Sequence, residues 1–368
     1  MVIKLPRVTK KRIRADWDDL ICPEPSCWTP LDARLDGSLN ECPRCGRLLT
    51  LTAGLPDVRD TSDRYLPLDA ERRRAELLDT LAQRQHLSAL DLARVYYAIT
   101  GDPRRERFLA HLDRAEVRAE GLVSQICEHV PYGGRVLEIG CGSGGFLAAA
   151  ARVRSDWRLE GVDLASRWLV VAKRRLRELG FVSGSTRTIG SGYTARASIR
   201  LIAAQAERLP FRHGWFDAAV ADSLVEHLDD PQVVVTELRR VVRPGGRVIL
   251  WSPNRRQWLD DPHGVRQSRS LRPPCIFSSA SPSSPFWKPR CRTAREAASW
   301  FDCSAWSSVV VQPASVTRRW LSQAAHGWER LHSVYAVACR QSLLRSLLTE
   351  YGPLWQLTAI RSESNPCR

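Results

Sequence analysis

The sequence predicts an α/β fold built on a doubly wound, mostly parallel sheet, and three observations lead there. Val136-Leu-Glu-Ile-Gly-Cys-Gly-Ser-Gly-Gly145 runs from a strand into a glycine-rich turn. Phe146 to Val153 continues it as an alanine-rich helix. Downstream, short β-rich runs alternate with helical stretches, the pattern of parallel strands joined by crossover helices. The turn also has a chemical meaning. Glycine accepts positive φ and lets a ligand press against bare backbone, and a helix start offers unpaired N–H groups and a positive dipole end.

The elements follow in order. Leu159-Glu-Gly-Val-Asp163 is the second strand. An acid at its end suits a ribose diol, because a carboxylate accepts both hydroxyl protons. Leu201-Ile-Ala-Ala is the third strand, leading into Gln205-Ala-Glu-Arg-Leu-Pro-Phe211. Phe216 to Asp222 is the fourth, leading into Ser223-Leu-Val-Glu-His-Leu-Asp-Asp-Pro231. A helix then ends at Arg243-Pro-Gly-Gly246, and Arg247 to Ser252 is the fifth strand, closed by Pro253-Asn254. Gly140, Gly142 and Gly145 satisfy G-x-G-x-x-G, so the turn and Asp163 alone are compatible with both NAD and S-adenosylmethionine.

The whole series resembles the class I S-adenosylmethionine-dependent methyltransferases, in the branch that includes the quinone-biosynthesis enzymes. The likeness covers about a third of the chain, Leu122 to Asn254, and rests on five motifs in combination. They are Glu138-x-Gly140-x-Gly142-x-Gly144, Gly161-Val-Asp163, Leu209-Pro-Phe with Phe216-Asp217, Glu226-His-Leu228, and Arg243-Pro-Gly-Gly246. The resemblance implies a Rossmann-like sheet with an antiparallel seventh strand and S-adenosylmethionine as methyl donor. It implies that Gly140 and Gly142 face the methionine part, that Gly144 belongs to the same cofactor-binding turn, that Glu138 orients that loop, and that Asp163 holds the ribose. Gln205, Ala206 and Glu207 would line the adenine; Gln205 stands where the family often has an aspartate, and its amide oxygen can still accept from the adenine amino group. Asp222 and Ser223 would sit beside the sulfonium, where a carboxylate favours positive charge. His227 is the local candidate for a base if the acceptor must lose a proton; its other reading is a loop residue covering the cofactor.

The ends of the chain add four expectations. Residues 1–20 form a basic tail. Residues 21–60 carry Cys22, Cys27, Cys42 and Cys45, with a C-P-R-C-G knuckle at 42–46 and a wider first pair. Four thiolates at this spacing suit a closed, structural Zn²⁺, and a redox pair or four unrelated thiols are the alternatives. Gly54-Leu-Pro-Asp57 resembles the exit of zinc ribbons fused to methyltransferases, some of which modify RNA. Residues 61–130 show apolar residues at helical spacing, interrupted at Gly101-Asp-Pro103, and read as two or three helices forming a linker or a cap over the substrate pocket. The catalytic core spans 131–254.

Residues 255–292 change character. Arg266 to Cys291 holds 12 Ser or Pro in 26 positions and no acid, which buries little and reads as irregular. We read Arg266 to about Arg292 as a frame-shifted or degenerate replacement of the segment that carries substrate contacts in relatives. Residues 293–368 resume order, with Ser308 to Gln312 and Leu354 to Ile360 as the sixth and seventh strands and a helix around Leu343 to Leu348.

Composition bounds the function. The 368 residues allow about two domains. No uncharged apolar run is long enough for a membrane span, and the basic N-terminus lacks the apolar centre of a signal peptide, so a cytoplasmic location is the expectation. A net charge of +15 suggests an anionic partner, nucleic acid included. Nine of those charges come from residues 255–368, with 16 Lys or Arg against 7 Asp or Glu. Three functions stay open: methylation of a small-molecule, lipid or quinone-like acceptor; methylation of rRNA or tRNA gripped by the ribbon; and a non-catalytic cofactor- or partner-binding role. The acceptor and the oligomeric state are not legible.

Overall fold

The computed structural model describes residues 19–31, 41–62, 66–100, 105–181, 198–255, 292–314, 317, 332–352 and 354–363. The Ser/Pro-rich segment and its frame-shift reading lie outside the described residues, Arg292 excepted, as does the basic tail up to residue 18.

Among the described residues nine strands join in one sheet. In chain order they are β1 (Thr50–Thr52), β2 (Leu55–Asp57), β3 (Arg135–Ile139), β4 (Arg158–Asp163), β5 (Ser198–Ala203), β6 (Phe216–Asp222), β7 (Val242–Pro253), β8 (Trp306–Pro313) and β9 (Leu354–Arg361). Their spatial order is β1-β2-β5-β4-β3-β6-β7-β9-β8. The five central strands and β2 pair in parallel. The β7–β9 and β8–β9 pairs are antiparallel, as the resemblance implied. The central strands are apolar because both faces are covered. Along β3, Val136 joins one core cluster, with Phe146 and Leu159, while Leu137 joins the other, with Phe211 and Phe216. That alternation is the strand's period of two.

Among the described residues of 61–130 there are four helices, where two or three were expected: α1 (Leu68–Arg84), α2 (Ala89–Thr100), α3 (Arg105–Asp113) and α4 (Ala115–Cys127). The additional break between α1 and α2 has a local cause. His86 adopts φ +51°, and Ser88 and Asp91 exchange bonds, Asp91 N to Ser88 Oγ at 3.0 Å and Ser88 N to Asp91 Oδ2 at 3.4 Å. This is the reciprocal logic of a capping box. The crossover helices are α5 (Gly145–Val153), α6 (Ser166–Glu178) and α7 (Pro231–Val241). At the start of α7, Asp230 accepts from Gln232 N at 3.0 Å and Pro231 occupies the first turn, where its missing N–H is no loss. Three C-terminal helices complete the described set: α8 (Ala294–Ala298), α9 (His332–Arg340) and α10 (Ser342–Tyr351). No helix among the described residues is long and apolar enough to cross a membrane.

The four-cysteine segment continues the sheet. Its exit hairpin β1–β2 turns at Ala53 and Gly54, φ +52° and +71°, the left-handed pair that a two-residue hairpin needs. β2 then lies beside β5, with Asp57 opposite Ala203 and Val58 N donating to Ala203 O at 3.0 Å. Nothing in the sequence announces this pairing. The segment is also seated on α7, where the Arg240 guanidinium lies 4.3 Å over the Trp28 ring.

Candidate cofactor and metal sites

A cavity of about 790 Å³ opens at the carboxyl ends of β3, β4 and β6. This is the switch point of the sheet, where β4 and β5 run to one side of β3 and β6 and β7 to the other. Glu138, Gly140 and Gly142 line it from the turn after β3, and Asp163 from the end of β4. Gln205, Ala206 and Glu207 line it after β5, and Asp222, Ser223 and His227 after β6. Gly144 does not line the cavity. It stands behind the turn at φ +75°, where a Cβ would meet Ala172 Cβ at 3.0 Å. Gly142, at φ +47°, has no atom within 4 Å of a would-be Cβ, so the backbone there faces open space. Gly145 allows the closest approach: a Cβ would lie 2.6 Å from Ala115 Cβ, so only glycine lets α4 pack onto α5.

The turn and Asp163 are tied together. Gly140 N and Cys141 N both donate to Val162 O, at 2.7 and 3.0 Å. Gly142 N donates to Asp163 Oδ2 at 2.8 Å, and Ala165 N to Asp163 Oδ1 at 2.7 Å. Two backbone donors thus aim the Asp163 carboxylate, leaving further acceptor capacity on each oxygen.

Glu138 is buried, and burial pushes its carboxyl well above the usual range, helped by the charges of Asp222 and Asp163. Its Oε2 has no hydrogen-bond partner among the described residues. The cation paired with Asp222 is Arg118 of α4, which sequence reasoning missed because nothing sets it apart from the chain's other arginines. Arg118 is buried, donates to Asp222 Oδ1 at 2.5 Å and to Ser223 Oγ at 2.6 Å, and lies 3.3 Å from His111 Nε2. Asp222 therefore already has a cation against it. Arg118 Nε is buried without a partner among the described residues. Glu138 and Arg118 thus place an acid and a base in the lining of one cavity.

Part of the cavity lining is aromatic. Tyr96 and Tyr97 of α2, Phe108 of α3 and Trp168 of α6 line it. Tyr97 and Phe108 stack with ring centres 5.5 Å apart, and Tyr96 meets Trp168 edge-on at 5.1 Å. His227 sits half-buried in a short 3₁₀ turn, Val225–His227, its N–H donating to Leu224 O at 2.8 Å.

Cys22, Cys27, Cys42 and Cys45 converge, all four sulfurs lying within 4.8 Å of one another. Cys22 Sγ is 3.6 Å from Cys45 Sγ, and Cys27 Sγ is 3.5 Å from Cys42 Sγ. Four thiolates about 2.3 Å from one tetrahedral Zn²⁺ stand roughly 3.8 Å apart, so the cluster has the size of such a site. Each knuckle is closed by backbone: Cys27 N to Glu24 O at 2.8 Å, and Gly46 N to Cys42 O at 3.0 Å with Gly46 at φ +70°. Burial raises the Cys22 and Cys45 thiols. Burial raises Cys27 too, but bonds from the Thr29 hydroxyl and backbone and from neighbouring thiols outweigh it and bring Cys27 to about 7.

Residues 137–250 match the family model of a methyltransferase domain. A ubiquinone biosynthesis O-methyltransferase of Dechloromonas aromatica (strain RCB) is 36% identical over 125 residues, 33% of this chain and 46% of that protein. Methyltransferase GfsG of Streptomyces halstedii is 30% identical over 177 residues, 48% of this chain and 56% of that protein. The chain spans about half the length of these curated relatives. Among solved structures, Haemonchus contortus phosphoethanolamine N-methyltransferase 2 in complex with S-adenosyl-L-methionine aligns over 77% of this chain and 60% of that one, with 17% identity and a TM-score of 0.43.

Proposed function

We propose that this chain, whose residues 137–250 match the family model of a methyltransferase domain, is a class I S-adenosylmethionine-dependent methyltransferase that acts on a small apolar or aromatic acceptor of the quinone-like kind. The carrying observation is one cavity at the glycine turn, lined by the charged groups Glu138, Arg118, Asp163 and Asp222 and by the aromatic rings of Tyr96, Tyr97, Phe108 and Trp168. When bound, S-adenosylmethionine supplies a methyl group already activated by its sulfonium, so the chain's task is alignment. Glu138 accepts from the ammonium and Arg118 meets the carboxylate. Gly140 and Gly142 admit the methionine part against bare backbone, and Gly144 lets the turn enter α5. Asp163 takes the ribose hydroxyls, and Gln205, Ala206 and Glu207 frame the adenine. Asp222 and Ser223 fix Arg118. The aromatic side chains exclude water and hold the acceptor's ring or chain.

His227 is the residue in this scheme that would take a proton from an acceptor hydroxyl. Turnover of His227→Gln should fall by about 10²-fold or more, with a changed pH profile. Unchanged turnover and an unchanged pH profile would leave His227 as a loop residue. Four cysteines of this geometry hold one structural Zn²⁺; metal analysis should find one zinc per chain, and free titration of all four thiols in the purified protein would refute it. The overall reading is tested by labelled-methyl transfer from S-adenosylmethionine into fractionated cell extract. Label should enter solvent-extractable small molecules. Label entering RNA, and lost when the extract is first treated with nuclease, would replace the acceptor class proposed here.

A further inference from the structure

The chain that leaves the four-cysteine segment runs directly into the wall of the cavity, which Thr61 and Ser62 line. Its exit strand β2 ends at Asp57, and the residues that follow reach both nucleoside loops. Arg59, buried with Asp57, forks onto that carboxylate, Nε to Oδ1 at 2.9 Å and Nη2 to Oδ2 at 2.7 Å. It also donates to Leu164 O and, through Nη2 at 3.2 Å, to Ser166 Oγ. Leu164 follows Asp163 directly and Ser166 opens α6. Asp60 N donates to Gln205 Oε1 at 3.4 Å, and the Asp60 carboxylate accepts from Arg208 Nη2 at 3.0 and 2.8 Å. Gln205 and Arg208 bracket the stretch assigned to the adenine. Thr61 and Ser62 then line the cavity themselves.

The metal end is fastened to the same segment. Arg47, next to the second knuckle, donates Nη2 to Val58 O at 2.8 Å and pairs with Glu24 at 3.1 Å and Asp60 at 3.3 Å. Ile21 N donates to Pro210 O at 3.0 Å, behind the adenine stretch. Removing one partner of a buried pair such as Asp57–Arg59 leaves an uncompensated charge, so residues 57–62 have one low-energy placement only while the hairpin is folded. A structural zinc contributes directly to that folding.

From these contacts we infer that the metal and cofactor sites are thermodynamically linked. Metal on Cys22, Cys27, Cys42 and Cys45 orders residues 57–62, those residues position the ribose and adenine loops, and occupancy of either site tightens the other. The inference rests on the zinc and methyl-donor readings above. Linkage is reciprocal by necessity, which supplies two independent readouts.

The test uses the full chain purified with its metal. Zinc release into a metallochromic chelator is timed with and without saturating S-adenosylhomocysteine, and affinity for S-adenosylhomocysteine is compared before and after zinc removal. Release should slow at least about fivefold with the ligand bound, and the stripped protein should bind it at least about fivefold more weakly. Asp60→Ala separates this linkage from simple ligand stabilisation of the fold. It keeps all four cysteines and no part of the glycine turn changes, so it should retain one zinc per chain while the release ratio moves toward one. A release ratio unchanged by Asp60→Ala, or equal release with and without bound ligand, overturns the linkage while both site readings stand. Protein lacking zinc overturns the metal reading and the linkage together. Zinc-loaded protein that binds no S-adenosylhomocysteine overturns the cofactor reading and the linkage together.

Discussion

Glu138 shows at the scale of one residue how function and stability oppose each other. A carboxylate enclosed near Asp163 and Asp222, with one oxygen left without a partner, is an unfavourable group in the empty protein. Its raised titration means that the folded state favours the protonated form. Neutralising it should therefore stabilise the unliganded chain. Glu138→Gln should raise the melting temperature without ligand by about one or two degrees, the shift that about 1 kcal/mol gives in a chain of this size, and weaken S-adenosylhomocysteine binding by about tenfold or more. A fall in melting temperature with intact binding would show that Glu138 is structural. Glu138 and Asp163 were legible in the sequence because motif spacing encodes them. Arg118 was not, because its role comes from a helix that folds across the sheet end from outside the motif region, and one arginine on a helix has no local signature.

Among the elements, β2 joins the ribbon to the sheet, and its last residue carries a pH-dependent contribution. Burial raises the Asp57 carboxyl, but Arg59, then Arg72 and Thr52, outweigh burial and hold it at about 2. The folded group titrates below its unfolded value of 3.8. Its stabilisation, about 2 kcal/mol, is complete above roughly pH 4 and is lost as the pH falls toward 2. Urea unfolding between pH 5 and 2.5 should show this slope, and Asp57→Asn should flatten it while lowering stability near neutrality. An unchanged slope would place the acid sensitivity elsewhere. The same strand marks the limit of sequence reading. The central strands were legible from apolar runs between turn signals, and β8 and β9 from β-branched and aromatic clusters. The β2–β5 pairing was not, because it is a backbone contact between segments some 145 residues apart. The additional helix break was written in Ser88-x-x-Asp91, a signal weaker than the Gly-Asp-Pro interruption beside it.

For the whole molecule, part of the arginine content is paired internally. Arg59, Arg118 and Arg167 are buried against Asp57, Asp222 and Glu71, and Arg47 and Arg208 pair with Glu24 and Asp60 at the ribbon's junction with the core. These paired arginines tie the four-cysteine segment, the helices before the central sheet and the sheet itself together, and the net charge of +15 is carried by other residues. The choice of cofactor, which the glycine turn alone leaves open between two nucleosides, underlies every role assigned here. Calorimetric titration of the zinc-loaded chain with S-adenosylhomocysteine and, separately, with NAD tests it most directly. The account predicts one S-adenosylhomocysteine bound per chain, weakened tenfold or more by Asp163→Ala, and no heat from NAD; saturable NAD binding with no response to S-adenosylhomocysteine would contradict it.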